Sequence, residues 1–310
     1  MKCFKIRFVL FYITAITLTN CLAGQNPAIE KYSLILRDKD RNNRKVPVDI
    51  YFPADTASTA SSVLSGTNQS YPLICFGHGY LISGKWYEDI RNIVVPEGFI
   101  MIFPSSETGL FPSHKKLAED MNFVLKEIPI MAADSSFILH GRVDTANCLM
   151  GHSMGGGSVF IASAKNNDNN AVIALAPFDT RPSAVESSAR VKAPTLIFAG
   201  SADCITPPEK HQIPIYNSSA SPDKTFILIK GGTHCQMGVS HPKCSTGEKV
   251  SGCKGQSLNK EEQLKIISRY LVPWMKFFLK GDISEGNAFS SAVIRYNEIE
   301  LRQSRPLPVQ

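Results

Sequence analysis

A serine, an aspartate and a histidine are the residues of this chain whose types and spacing could do chemistry together. Gly151-His152-Ser153-Met154-Gly155 sets a serine between glycines two residues away on either side. That spacing marks a sharp strand-to-helix turn, on which the hydroxyl stands exposed and the backbone leaves no space for neighbouring side chains. Alone it decides little: with glycine and serine each near 7% of residues, a chain of about 300 carries it by accident roughly one time in ten. Its flanks add weight. The apolar run Cys148-Leu149-Met150 precedes it and a small-residue helical stretch, 156–164, follows. The competing reading is a glycine-rich turn that only packs a helix on a strand.

A hydroxyl is a weak nucleophile until a base takes its proton. On such a turn the partners follow later in the chain, in the order Ser, acid, His. Asp203 comes just after the apolar run 195–199 and fits the acid, with Asp179 and then Asp223 as alternatives. His234, in Gly231-Gly232-Thr233-His234, follows the last apolar run, 226–229, and fits the base. His211 and His241 are the other downstream histidines; one precedes a strand and the other sits among cysteines. Negative charge formed by nucleophilic attack needs backbone N–H donors aimed at it. Met154 supplies one from just after the serine. Tyr80, in Gly77-His78-Gly79-Tyr80 after the run 73–76, supplies the other. His78 reads as a residue that shapes this loop.

Positioning these groups requires a sheet. Residues 32–37 and 46–52 read as two strands joined by a charged turn, and 55–70 as a polar surface loop. Short apolar runs at 73–76, 99–103, 148–150, 171–176, 195–199 and 226–229 suit buried parallel strands. Helical stretches at 85–95, 114–127, 154–164 and 260–279 lie between or after them. The expectation is an α/β fold: a mostly parallel sheet of the eight-stranded type, helices on both faces. Only residues 177–193 separate two of the strands where a covering insertion could sit, so no lid domain is expected and the site should be open.

The first 23 residues read as a secretory signal, leaving 24–310 as one domain. Lys2, Lys5 and Arg7 precede an apolar stretch of about 11 residues, too short for the roughly 20 that cross a bilayer. A lipid anchor on Cys21 is the rival reading. Secreted or periplasmic location follows, without a transmembrane segment. Removing the three signal cations from 33 leaves 30 against 27 acidic groups, a net charge near +3, and no basic patch points to nucleic acid. Six cysteines remain: Cys75, Cys148, Cys204, Cys235, Cys244 and Cys253. An oxidising compartment suggests disulfides. Cys204 adjoins Asp203 and Cys235 adjoins His234, so contact of acid and base suggests Cys204–Cys235, leaving Cys244–Cys253. Cys75 and Cys148 fall in strands as buried thiols. A zinc set from His234, Cys235, His241, Cys244 and Cys253 matches no familiar spacing, so no metal is expected.

Several stretches in order resemble the bacterial cutinase and polyester-hydrolase branch of the α/β-hydrolases, close to dienelactone-hydrolase-like and platelet-activating-factor-acetylhydrolase-like esterases. They are Gly141-Arg142-Val143-Asp144-Thr145, Met150-Gly151-His152-Ser153-Met154-Gly155-Gly156-Gly157, Ala193-Pro194-Thr195-Leu196-Ile197-Phe198-Ala199, Pro214-Ile215-Tyr216-Asn217-Ser218, Gly231-Gly232-Thr233-His234 and Trp274-Met275-Lys276. The resemblance spans roughly 70–280. It implies the triad Ser153, Asp203 and His234, oxyanion donors at Tyr80 and Met154, and an apolar groove near Tyr80, His152, Met154, Phe178 and Ile205. It implies ester hydrolysis, with polyester or cutin among the substrates; short- to medium-chain acyl esters, no cofactor and a monomer are the accompanying expectations. Phe178 stands where polyester-cleaving members usually carry tryptophan, and 238–256 adds a cysteine-bearing loop beside the base. Alternatives sharing the triad are a lipid-directed esterase or lipase and an acyltransferase. A peptidase or a non-catalytic binding protein on the same scaffold are others.

Overall fold

The computed structural model describes residues 28–54, 69–253 and 258–307. The expected signal segment with Cys21, and most of the 55–70 loop, lie outside them. In chain order the elements are β1 (Ile29–Asp38), β2 (Arg44–Pro53), β3 (Tyr71–Gly77), α1 (Glu88–Val94), β4 (Ile100–Pro104), α2 (His114–Ala132), β5 (Val143–His152) and α3 (Met154–Lys165). Then come β6 (Ala171–Leu175), α4 (Ala184–Ser188), β7 (Thr195–Gly200), α5 (Gln212–Ser218), β8 (Lys224–Ile229), α6 (Pro242–Val250), α7 (Lys260–Lys280), α8 (Ile283–Arg295) and β9 (Ile299–Gln303).

The strands form one sheet in the order β1-β2-β4-β3-β5-β6-β7-β8-β9. The six from β4 to β8 in that order run parallel, while β1, β2 and β9 are antiparallel additions at the two edges. Every residue of β3, β4, β6 and β7 is buried. Parallel strands covered on both faces must be apolar throughout, which is why these segments read as continuous runs. α1, α7 and α8 cover one face, with Tyr87, Ile90, Tyr270, Trp274 and Phe289 in its core. α2, α3 and α5 cover the other, with Leu117, Met121, Val159, Phe160 and Ile215. Cys75 and Cys148 fall in these opposite layers as free, buried thiols.

Two elements differ from the sequence reading. The sheet has a ninth strand, β9, whose Ile299 and Leu301 oppose Ile229 and Ile227 of β8. The stretch read as a loop at 238–256 contains the nine-residue helix α6. Among the described residues, no helix is long and apolar enough to cross a membrane.

Candidate active site

The carboxyl ends of β3, β5, β7 and β8 face one edge of the sheet, and each feeds a loop that carries a functional group. β5 ends at His152, and Ser153 adopts φ +55° and ψ −118° before α3 begins at Met154. A side chain on Gly151 would stand 2.5 Å from the Gly155 carbonyl oxygen, and one on Gly155 would overlap the Gly77 carbonyl. Both glycines are therefore required by the approach of β5, α3 and the loop after β3.

The serine hydroxyl donates to His234 Nε2 at 2.9 Å, and His234 Nδ1–H donates to Asp203 Oδ2 at 2.8 Å. Both partners are buried. Asp203 Oδ1 accepts the amides of Ile205 (2.9 Å) and Thr206 (2.8 Å), and Oδ2 accepts the Thr206 hydroxyl at 2.9 Å. A carboxylate held this firmly can fix the imidazole tautomer and balance the positive form it takes on accepting a proton. The base loop is clamped in turn: Thr233 N–H donates to Gln263 Oε1 (2.8 Å), and Gln263 Nε2 donates to Thr233 O (2.9 Å).

The other candidate acids and bases are occupied elsewhere. Asp179 Oδ1 accepts from the Ser183 hydroxyl and the Ala184 and Val185 amides at the start of α4. The Asp223 carbonyl pairs with Thr195, at the end of β7 away from the site. His211 Nδ1 accepts the Asp179 amide, and the His241 ring packs edge-on to Trp86. The His78 ring is buried between the carbonyls of Ser106 (2.7 Å) and Gly79 (2.9 Å), where desolvation lowers its pKa. It shapes the loop, as its sequence position suggested.

Tyr80 follows directly on that loop, and the first amides of α3 are free of intrahelical acceptors by construction. A groove of about 200 Å³ lies over Ser153 and His234, bounded by Gly79, Tyr80, His152 and Ile205. Its far wall is α6, through Cys244 and Gly247. Phe178 is not part of this lining; its amide donates to the Ser153 carbonyl (3.0 Å), and its ring lies 4.9 Å from that of His211 and 6.4 Å from that of His114.

The bridges are Cys204–Cys253 and Cys235–Cys244, not Cys204–Cys235 and Cys244–Cys253. Asp203 and His234 meet through their side chains, and the two loop backbones touch just before them, where Ala202 N–H donates to the Gly232 carbonyl at 2.8 Å. Their cysteine neighbours turn instead to α6, whose two ends carry Cys244 and, just beyond, Cys253. These pairings also remove the thiolates that a zinc set would need.

The family model described as PET hydrolase-like, named PETase, matches residues 48–291. The chain belongs to this family. Cutinase 2 of Thermobifida cellulosilytica is 26% identical over 233 residues, 74% of this chain and 77% of that protein. Cutinase cut1 of Thermobifida fusca is equally identical over 233 residues, and the match spans 63% of its length, just under two thirds. Bis(hydroxyethyl) terephthalate hydrolase of Streptomyces coelicolor is 27% identical over 146 residues, 46% of this chain and 38% of that protein. A PET hydrolase-like fold is an α/β-hydrolase fold, and the sheet and elbow above are its parts.

Three groups of this PET hydrolase-like site carried no signal in the sequence. Thr206 holds the acid, Gln263 of α7 clamps the base loop, and Tyr87 joins the loop after β3 to His152. None stands in a spacing pattern, and each is brought to the site only by tertiary packing.

Proposed function

We propose that this chain is an exported serine hydrolase of carboxylic esters that works through an acyl-enzyme. The observation that carries the reading is the continuous set of contacts from Ser153 Oγ to His234 Nε2 (2.9 Å) and from His234 Nδ1 to Asp203 Oδ2 (2.8 Å). Ser153 attacks the ester carbonyl while His234 takes its proton. Asp203 steadies the imidazolium, and the amides of Tyr80 and Met154 hold the oxyanion. His234 then protonates the leaving alcohol, and water releases the acyl group by the same steps in reverse. No step calls on a metal or organic cofactor. Two disulfides support an oxidising, extracytoplasmic location. All three catalytic groups come from one chain, which supports a monomer as the working unit.

The groove is smaller than the roughly 300–1,000 Å³ sites that enclose drug-sized ligands. It therefore suits one acyl segment of a short- to medium-chain ester, or one repeat of a longer polyester or cutin chain whose remainder lies outside. Tyr80, about half exposed, and Leu110 and Phe111, both exposed, offer apolar surface on the Tyr80 side, where Tyr80 Oη–H donates to the Leu110 carbonyl at 2.9 Å.

Ser153→Ala should abolish hydrolysis of p-nitrophenyl esters and labelling by a fluorophosphonate, with an unchanged circular dichroism spectrum. Hydrolysis retained by the purified variant removes Ser153 as nucleophile. A p-nitrophenyl chain-length series, run beside a polyester film, should show highest activity at short and medium chains; a rise toward long chains points to a lipid-directed enzyme.

A further inference from the structure

Three hydrogen bonds behind the serine run in one direction only. Gly79 N–H lies 2.7 Å from Tyr87 Oη, Tyr87 Oη lies 3.1 Å from His152 Nδ1, and His152 Nε2 lies 3.1 Å from the His234 carbonyl oxygen. An amide N–H can only donate and a carbonyl can only accept, so both ends are fixed. Tyr87 oxygen must accept from Gly79, its proton must go to His152 Nδ1, and His152 must carry its proton on Nε2 to donate to His234. Tyr87 and His152 are both buried, with no water-facing alternative for either.

We propose that Tyr87 and His152 are positioning residues that lock the oxyanion loop to the base loop through this ordered relay. The proposal rests on the ester-hydrolase reading of Ser153, Asp203 and His234. The Tyr80 N–H belongs to the peptide whose carbonyl is Gly79 O, and that oxygen accepts Ile82 N–H at 3.2 Å. With Gly79 N–H held by Tyr87, both peptide planes flanking Gly79 are fixed, and the direction of the Tyr80 amide is set with them. At the other end the relay holds the backbone of the base itself. A side chain on Gly79 would stand 3.1 Å from Tyr87 Oη and 3.4 Å from His152 Nδ1, so the closure depends on glycine at that position. The Tyr87 ring is packed against Phe76 at 4.6 Å and Phe103 at 6.3 Å, so the hydroxyl can be removed without moving the ring. His152, which the resemblance placed in the substrate groove and which does border it, has both ring nitrogens engaged here rather than free for substrate.

Tyr87→Phe and His152→Gln, alone and combined, test the relay in the full-length secreted protein. Tyr87→Phe should lower kcat on p-nitrophenyl butyrate about tenfold, as a misdirected oxyanion donor does, with KM changed less than twofold. The inhibition constant of a trifluoromethyl ketone, whose adduct carries the oxyanion, should rise by the same factor. Gln places no ring nitrogen at the Nδ1 position, so either single variant breaks the Tyr87–His152 link and the double variant should be no slower than the slower single one. Independently of activity, the ¹⁵N shifts of the His152 ring should report the Nε2–H tautomer in the parent, held by the His234 carbonyl, and in Tyr87→Phe the Nδ1 resonance should move downfield as it loses the tyrosine's proton. Unchanged kcat and inhibition constant in folded Tyr87→Phe, or multiplying effects in the double variant, overturn the proposal. So does a parent ring protonated on Nδ1, or an Nδ1 resonance that does not move in Tyr87→Phe. If Tyr87→Phe does not fold, kcat and the inhibition constant of His152→Gln decide, together with the His152 tautomer of the parent. A parent protein that neither hydrolyses esters nor labels at Ser153 overturns the function instead, and the tautomer reading still judges the relay.

Discussion

Ser153 holds a left-handed backbone that a serine rarely adopts, and such strain persists only where its surroundings over-determine it. Here its amide donates to Leu175 O at 3.0 Å, and its carbonyl accepts from Gly157 and Phe178, each at 3.0 Å. The sequence exposed this residue through its two glycines, because the close approach they permit cannot be made by any other residue. Asp203 and His234 were legible for a related reason: each comes after a short apolar run, and strand ends are where a parallel sheet presents side chains. Thr206 was not legible, since a lone threonine three residues past the acid has no spacing to recommend it. Its hydroxyl lies 2.9 Å from Asp203 Oδ2, 3.0 Å from His234 Nδ1 and 3.3 Å from the Ala176 carbonyl. Thr206→Val keeps the shape and loses the donor. Steady-state kinetics should find kcat down roughly three- to tenfold, with stability lower by about 1 kcal/mol. Thr206→Ser should recover most of the rate; a Val variant as fast as the parent would show that the two amides alone hold the carboxylate.

At the scale of elements, α6 is what distinguishes the neighbourhood of the base. Cys235–Cys244 ties its first turn to the residue after His234, and Cys204–Cys253 ties the chain after its last turn to the residue after Asp203. Glu248 adds a third hold by accepting the Cys235 amide at 2.8 Å. The helix escaped sequence reading because Pro-Lys-Cys-Ser-Thr-Gly-Glu-Lys-Val has a central glycine and no apolar periodicity; cross-links take the place of a buried face. β9 escaped for a similar reason, as Ile-Glu-Leu-Arg-Gln is a half-exposed edge strand with charges on its outer side. The cysteine pairs close loops of unequal size, 49 and 9 residues apart. Chain-entropy arguments give about 4 kcal/mol for the longer loop and about 2.5 for the shorter as upper estimates. Removing Cys204 and Cys253 together should therefore lower the melting temperature more than removing Cys235 and Cys244. Peptide mapping under non-reducing conditions should recover these two pairs. Equal losses of melting temperature would mean that the helix is held mainly by Glu248 and packing. Gly247, on the groove wall with open space where a Cβ would be, offers a second test: Gly247→Leu should narrow the groove and shift chain-length preference downward.

Over the whole molecule, the same tight closure that assembles the site leaves histidines where burial opposes the uptake of a proton. Burial, and then the neighbouring His234 ring at 4.7 Å, holds His152 well below its ordinary pKa of 6.5; besides His234, Tyr87 faces it. Burial also lowers His78, although Glu107 opposes the effect, and it lowers the half-buried His114 and His211. A histidine whose folded pKa lies below its unfolded value adds nothing to the pH dependence above about 6.5, where both states are neutral. Below that, the unfolded chain binds a proton the folded one refuses, and stability falls until the folded pKa is reached. For His152 and His78 this loss builds up as pH falls through 6.5. Urea unfolding should accordingly show a stable plateau from pH 7 to 8 and a decline below pH 6.5. His152→Gln, which removes one such proton, should flatten that decline while lowering stability at pH 7.5. A parent protein equally stable at pH 5.5 and 7.5, or a variant with an unaltered slope, would mean that these buried rings find a way to accept a proton. The closed packing around the relay would then be looser than its hydrogen-bond geometry requires.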